Sequence, residues 1–150
     1  MTANHTLSRR ILIVLAAAGL LVAGYLAYVY IADVDALCSN VGGCDAVKNS
    51  RYSRVAGVPV PVLGMVGYGA ILGLLLLEGS NRALAEHSPT LVFGLSLFGT
   101  LYSAYLTYLE LAVIKAVCPY CVVSAIIMTA ILGVATYRLV RVMRSYEEFA

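Results

Sequence analysis

Four uncharged apolar runs constrain this chain more than anything else in it: residues 11–31, 58–77, 90–109 and 116–137, each 20 to 22 residues long. A hydrocarbon core about 30 Å thick is crossed by about 20 helical residues rising 1.5 Å each. Each run is therefore long enough to span a bilayer once. The runs are continuous, without the period-two alternation of a membrane barrel. Of the 150 residues, 61% are apolar and 12% charged, and a globule of that size cannot hide so much apolar side chain from water. The expected fold is an all-α integral membrane protein, a four-transmembrane-helix bundle. It forms a single domain with helices at about 11–31, 58–77, 90–114 and 118–140 and a long extracytoplasmic loop between helices 1 and 2. The net charge of +2 is small and scattered, which excludes a nucleic-acid partner. Arg9 and Arg10 ahead of the first run resemble the start of a signal peptide. The run is longer than the usual h-region of about 7–15 residues, and three further spans follow, so a retained first helix is expected.

With four spans, both termini share one side. That side carries Arg9, Arg10, Arg82, Arg138, Arg141 and Arg144, against Lys48, Arg51, Arg54 and Lys115 on the other. The bias, with its tight clusters at helix ends, places both termini in the cytoplasm. The loop at 32–57 and the turn between helices 3 and 4 then lie outside. Tyr25, Tyr28, Tyr30, Tyr102, Tyr105, Tyr108 and Tyr120 fall in the outer halves of their helices, where an aromatic belt or a pocket for an aromatic ligand would use them.

The four cysteines all fall on that outer side. Cys38 and Cys44 lie in the long loop with Gly42 and Gly43 between them, so the backbone is able to fold back and bring the sulfurs together. Cys118-Pro119-Tyr120-Cys121 opens helix 4. Pro119 suits the first helical position, which puts Cys118 at the N-cap near unpaired backbone donors that favour a thiolate. Cys121 follows on the same helix face, about 4.5 Å deeper along the axis. One loop pair and one embedded pair in an oxidising compartment are the parts of a thiol–disulfide relay. Three other readings use the same residues: an inert loop disulfide, a zinc site built from the two pairs, and cysteines in helix 4 serving only as small apolar side chains.

The loop cysteine pair, Ser50-Arg51-Tyr52, the Val58-Pro59-Val60-Pro61 lead into helix 2 with Gly64 beyond it, and the late Cys-x-x-Cys together resemble the vitamin K epoxide reductase family. The resemblance covers roughly residues 32–125. It implies a bundle holding a quinone (menaquinone, phylloquinone or ubiquinone) beside the Cys-x-x-Cys, with no metal and with electrons supplied by a periplasmic thioredoxin-like (DsbA-like) protein. It assigns Cys118 and Cys121 as the active-site pair, with Cys121 acting on the quinone. Cys38 and Cys44 become the loop shuttle, Ser50 a residue holding the loop near the site, and Tyr68 an aromatic near the quinone. Val60 and Ala125 stand where polar groups for the vitamin K head would be expected, which favours plain quinone reduction over epoxide reduction. DsbB proteins also have four helices and two cysteine pairs, but their Cys-x-x-Cys comes first in the chain.

The implied function is a thiol–quinone oxidoreductase of the bacterial inner (plasma) membrane, supporting disulfide-bond formation. Its thioredoxin-like partner is expected on a separate chain, because the dozen residues after Tyr137 make no such domain. On helix 3, Ser103 and Thr107 with Tyr102, Tyr105 and Tyr108 lie at a suitable depth to line an apolar quinone pocket with a few polar groups. Glu110, at the outer end of helix 3, invites a proton-relay reading but is taken as interfacial; His87 reads as solvated and residues 78–89 as a tight connection. A transporter would need charged residues at the membrane midplane, which the spans lack; a non-enzymatic tetraspan protein with a structural disulfide would not need a Cys-x-x-Cys at a helix start.

Overall fold

The computed structural model describes residues 2–32, 54–55, 57–115 and 119–149. Cys38, Cys44, Ser50 and Cys118 lie outside the described residues. Among the described residues four helices are long and apolar enough to cross a membrane: α1 (Thr2–Ala32), α2 (Val60–Leu77), α3 (Arg82–Leu109) and α4 (Pro119–Phe149). α1 packs on α2 and α4, and α3 packs on the same two, so the helices form an up-and-down ring in chain order.

Helices α1 and α4 have 31 residues each, about 46 Å at 1.5 Å per residue. They run past the apolar cores expected for them, and their polar ends leave the hydrocarbon region on the side of the termini. A short hairpin precedes α2, where β1 (Arg54–Val55) pairs antiparallel with β2 (Val58–Pro59). Gly57 takes a φ of 85° in the connecting turn, a left-handed backbone that glycine adopts without a Cβ penalty. Helix 2 was expected from Val58, yet Val58 is extended because it precedes a proline. Pro59, at φ −59° and ψ 138°, is the N-cap.

The expected connection at 78–89 is largely helical. Only Glu78 to Asn81 form the turn, and the Asn81 side chain accepts from the Ala83 amide at 3.1 Å to start α3, a standard N-cap contact. α3 then continues through Pro89 and passes at Glu110–Ile114 into a π-helical turn. That turn ends at Lys115, whose φ is 56°.

Each helix turns a seam of positions spaced three and four apart toward the bundle axis, as coiled-coil-like packing requires. On α2 the seam is Pro61, Gly64, Tyr68, Ile71, Leu75 and Glu78; on α4 it is Cys121, Ser124, Met128, Ile131, Ala135 and Arg138. Val14, Leu21, Val66, Phe98, Leu101 and Ile126 are exposed on the outside, where lipid is their solvent.

At the end of the bundle that carries the termini, polar groups tie all four helices together. Arg138 of α4 reaches Glu78 Oε1 at 2.7 Å, and Ser88 Oγ of α3 donates to Glu78 Oε2 at 2.9 Å. Arg9 Nε of α1 donates to the Leu75 carbonyl of α2 at 3.0 Å. Glu78, Ser88 and Arg138 are buried. Two of the arginines that set the expected orientation thus also hold the bundle together. Replacing Arg138 by Leu removes the guanidinium from the buried Glu78 carboxylate. Denaturant titration in micelles should show a loss of about 3–5 kcal/mol, most of it regained when Glu78→Gln and Arg138→Met are combined.

Candidate functional site

The described half of the Cys-x-x-Cys lies at the opposite end of the bundle. α4 begins at Pro119, so Cys121 sits in its first turn and is the outermost member of the inward seam. It is half-buried. The i+3 and i+4 neighbours of a helical residue flank it one turn away; here they are Ser124 and Ala125.

On the Ser124 side lies Tyr68, 1% exposed and among the largest fully buried side chains. Its hydroxyl donates to the Ser124 carbonyl at 2.8 Å and shares a hydrogen bond with Ser124 Oγ at 2.9 Å. The ring crosses the bundle from α2 to α4 because α1 gives way to it. A Cβ on Gly19 would overlap the Tyr68 ring. α1 continues this small-residue stripe through Ala23 and Ala27, both buried, which lets backbones approach in lipid.

These contacts set a layer. One helical turn toward the outer end from Gly19, Tyr68 and Ser124 stand Ala23, Gly64 and Cys121. A Cβ on Gly64 would lie 3.5 Å from the Ala23 Cβ. Gly64 is therefore a packing position against α1, and at the level of Cys121 both α1 and α2 present minimal side chains. Above this layer the rings of Tyr25 and Tyr120 meet at 5.2 Å, tilted by 48°, and join α1 to α4. Neither residue had been singled out in the sequence from the rest of the aromatic belt.

On the Ala125 side a groove of about 460 Å³ opens between α3 and α4, lined by Thr107, Val122, Ala125, Ile126, Thr129 and Ala130. Within it the Thr107 hydroxyl donates to the Ser103 carbonyl at 2.8 Å and the Thr129 hydroxyl to the Ala125 carbonyl at 2.8 Å. These hydroxyl protons are thus spent within their own helices, as lipid exposure favours. Tyr105 is 54% exposed and its ring lies against Tyr102, which stacks on Phe98. The structure places Tyr105 in an outward aromatic ladder and does not join it to Tyr68 and Ser124.

Glu110, weighed from the sequence as a proton relay and set aside as interfacial, is 3% exposed. It continues the seam of α3, where Val92, Ser96, Gly99, Ser103, Leu106 and Glu110 follow one another at four- and three-residue steps. The seven-residue interval from Ser96 to Ser103 to Glu110 was the signal that could have exposed it. The Thr100 hydroxyl donates to the Met128 carbonyl at 3.4 Å and fixes the register of the antiparallel α3 and α4. Counting outward from there at 1.5 Å per residue, Glu110 lies about 15 Å along α3 and Cys121 about 10 Å along α4. The carboxyl-bearing residue is thus about one turn beyond Cys121, level with the start of α4.

Known proteins match this chain in one consistent way. The sequence model of the vitamin K epoxide reductase family matches residues 10–136. The thiol-disulfide oxidoreductase LTO1 of Arabidopsis thaliana is 36% identical over 107 residues, 67% of this chain. The chain spans 28% of that relative's length.

The packing around Tyr68 yields a measurable contrast. Gly19→Ala pushes a methyl into an aromatic ring with little freedom to move and should destabilise the bundle by about 1–3 kcal/mol. Tyr68→Phe, which loses the hydrogen bonds to Ser124, should cost about 0.6–1.7 kcal/mol. Gly67→Ala is the control, because an added Cβ there meets nothing within 4 Å; denaturant titration should find it neutral or stabilising.

Proposed function

Because the chain belongs to the vitamin K epoxide reductase family, we propose that it is a membrane thiol–quinone oxidoreductase that reoxidises a periplasmic thioredoxin-like protein and thereby supports disulfide-bond formation. The name of the Arabidopsis relative, a thiol-disulfide oxidoreductase, agrees with the thiol half of this reading. The observation that carries it is the position of Cys121. It is the outermost residue of the inward seam of α4, in a layer where α1 and α2 contribute only Ala23 and Gly64. One turn below lies the hydroxyl pair of Tyr68 and Ser124.

The residues present suit a quinone head group. Flat rings need apolar walls and a few polar groups to fix their oxygens. Ala23 and Gly64 form a small apolar wall at the level of the sulfur, the Tyr68 and Ser124 hydroxyls supply polar contacts, and the groove past Ala125 opens toward lipid. A bound quinone supplies the acceptor for two electrons and two protons. Val60 and Ala125 offer no hydrogen bond from their side chains, which favours plain quinone reduction over reduction of an epoxide.

In this mechanism the partner's thiols reduce the disulfide of Cys38 and Cys44 by exchange, which proceeds by direct attack through a mixed disulfide. One freed loop thiol attacks Cys118 and displaces Cys121 as a thiolate. The second loop thiol then attacks the loop sulfur of that mixed disulfide, re-forming the bond between Cys38 and Cys44 and freeing Cys118. Cys118 and Cys121, now both reduced, give up two electrons inside the bundle as their own disulfide re-forms. Tyr68 and Ser124 orient the acceptor, and the closely packed interior keeps water from the sulfur. The proposed setting is a bacterial plasma membrane with both termini cytoplasmic and the cysteines outside.

Three measurements follow. The purified protein in lipid should form quinol when driven by a dithiol, and Cys121→Ser should reduce this to background; equal rates for the two would refute the reading. In Cys121→Ser, thiol trapping followed by peptide mapping should recover a mixed disulfide of Cys118 with Cys38 or Cys44, and finding neither would remove the relay. In intact cells, a membrane-impermeant thiol reagent should label reduced Cys38 and Cys44 without permeabilisation.

A further inference from the structure

We propose that Glu110 is the proton-carrying residue of this site: it takes up a proton released when the cysteine pair is oxidised and delivers it to the acceptor. The inference rests on the thiol–quinone reading and deepens it. Its basis is placement. Glu110 is 3% exposed at the site end of an apolar bundle, on the inward seam of α3 and about one helical turn outward of Cys121. An ionisable side chain is costly to hold at such a position and is kept there for chemistry more often than for packing. The backbone departs from the α-helix at the same residue. Glu110–Ile114 form a π-helical turn, a local distortion frequent at functional sites. The turn is closed by the Lys115 amide donating to the Glu110 carbonyl.

The chemistry requires such a group. Converting two thiols to a disulfide releases two electrons and two protons, and converting a quinone to a quinol consumes the same number of each. The electrons leave through Cys121, but the protons need a carrier where packed side chains exclude water. In the proposed step the carboxylate of Glu110 takes up one of the two thiol protons as the cysteine pair is oxidised. The carboxyl then gives that proton to an acceptor oxygen and returns to the carboxylate. The second thiol proton passes to water at the outer end, and water returns one to the other acceptor oxygen. On the elements packed against α3, the described titratable side chains toward this end are Tyr68 of α2 and Tyr120 and Cys121 of α4. Tyr108 and Lys115 flank Glu110 in its own segment.

The test uses the full chain in lipid with Glu110→Gln and Glu110→Asp. Infrared difference spectra between disulfide and dithiol forms, taken without added quinone, should contain a carboxyl C=O band that is missing in Glu110→Gln and displaced in Glu110→Asp. Dithiol-driven quinol formation should fall about 100-fold in Glu110→Gln and lose its pH dependence, with Glu110→Asp retaining part of both. Should Glu110→Gln fold poorly, Glu110→Asp decides by the same two readouts. Quinol formation with an unchanged rate and pH profile in Glu110→Gln, and no carboxyl band, would overturn the inference while leaving the proposed function standing. A redox-linked band in a protein that reduces no quinone would uphold proton uptake by Glu110 and instead refute the choice of acceptor.

Discussion

Between helices in lipid, apolar burial supplies little net attraction, because acyl chains are as apolar as the leucines that would leave them. What holds this bundle must therefore come from close backbone approach and from polar contacts that hydrocarbon cannot replace. Both are concentrated on the inward seams. Gly19, Ala23 and Ala27 let α1 settle against α2, and the room left by Gly19 is filled by the ring of Tyr68. Other large side chains point outward; Leu21, Phe98 and Ile126 are more exposed than any core residue of a water-soluble protein of this size would be.

The two ends of the bundle use their polar groups differently. At the end with the termini, a carboxylate accepts from a guanidinium and from a hydroxyl, and a second arginine covers a carbonyl at the end of α2. Such a buried cluster fixes register more surely than it adds stability. At the cysteine end the seams carry Cys121, Ser124 and Tyr68, with Glu110 a turn further out. α2 and α4 run parallel across the bundle, and each seam has a reactive or hydrogen-bonding residue near its start and an ion-pair partner near its finish. The locked end is thus a fixed reference against which the other is positioned.

Much of this was legible in the sequence. The four spans follow from the length of the uncharged runs, and the position of Cys121 follows from Pro119 at a helix start. The parts that were not legible share a physical cause. Glu78, Arg138 and Glu110 sit at the margins of apolar runs, where a charge reads as the end of a span. Only the seam spacing reveals that these margins turn inward. Asn81 restarts a helix where the Gly79, Ser80 and Asn81 sequence suggested a longer connection, because its side chain caps Ala83. Tyr105, chosen for the pocket by depth, stands in an outward aromatic ladder, since depth alone does not specify a helix face.

The groove between α3 and α4 has one further consequence. Its walls, Val122, Ile126 and Ala130 among them, face the acyl chains and not the aqueous phase. A molecule entering there arrives sideways, by diffusion within the plane of the membrane. Its occupancy then follows its mole fraction among the lipids, and diluting the vesicles in buffer leaves that fraction untouched. Saturation of such a site is a property of a two-dimensional solution, set by membrane composition more than by the volume of water around it.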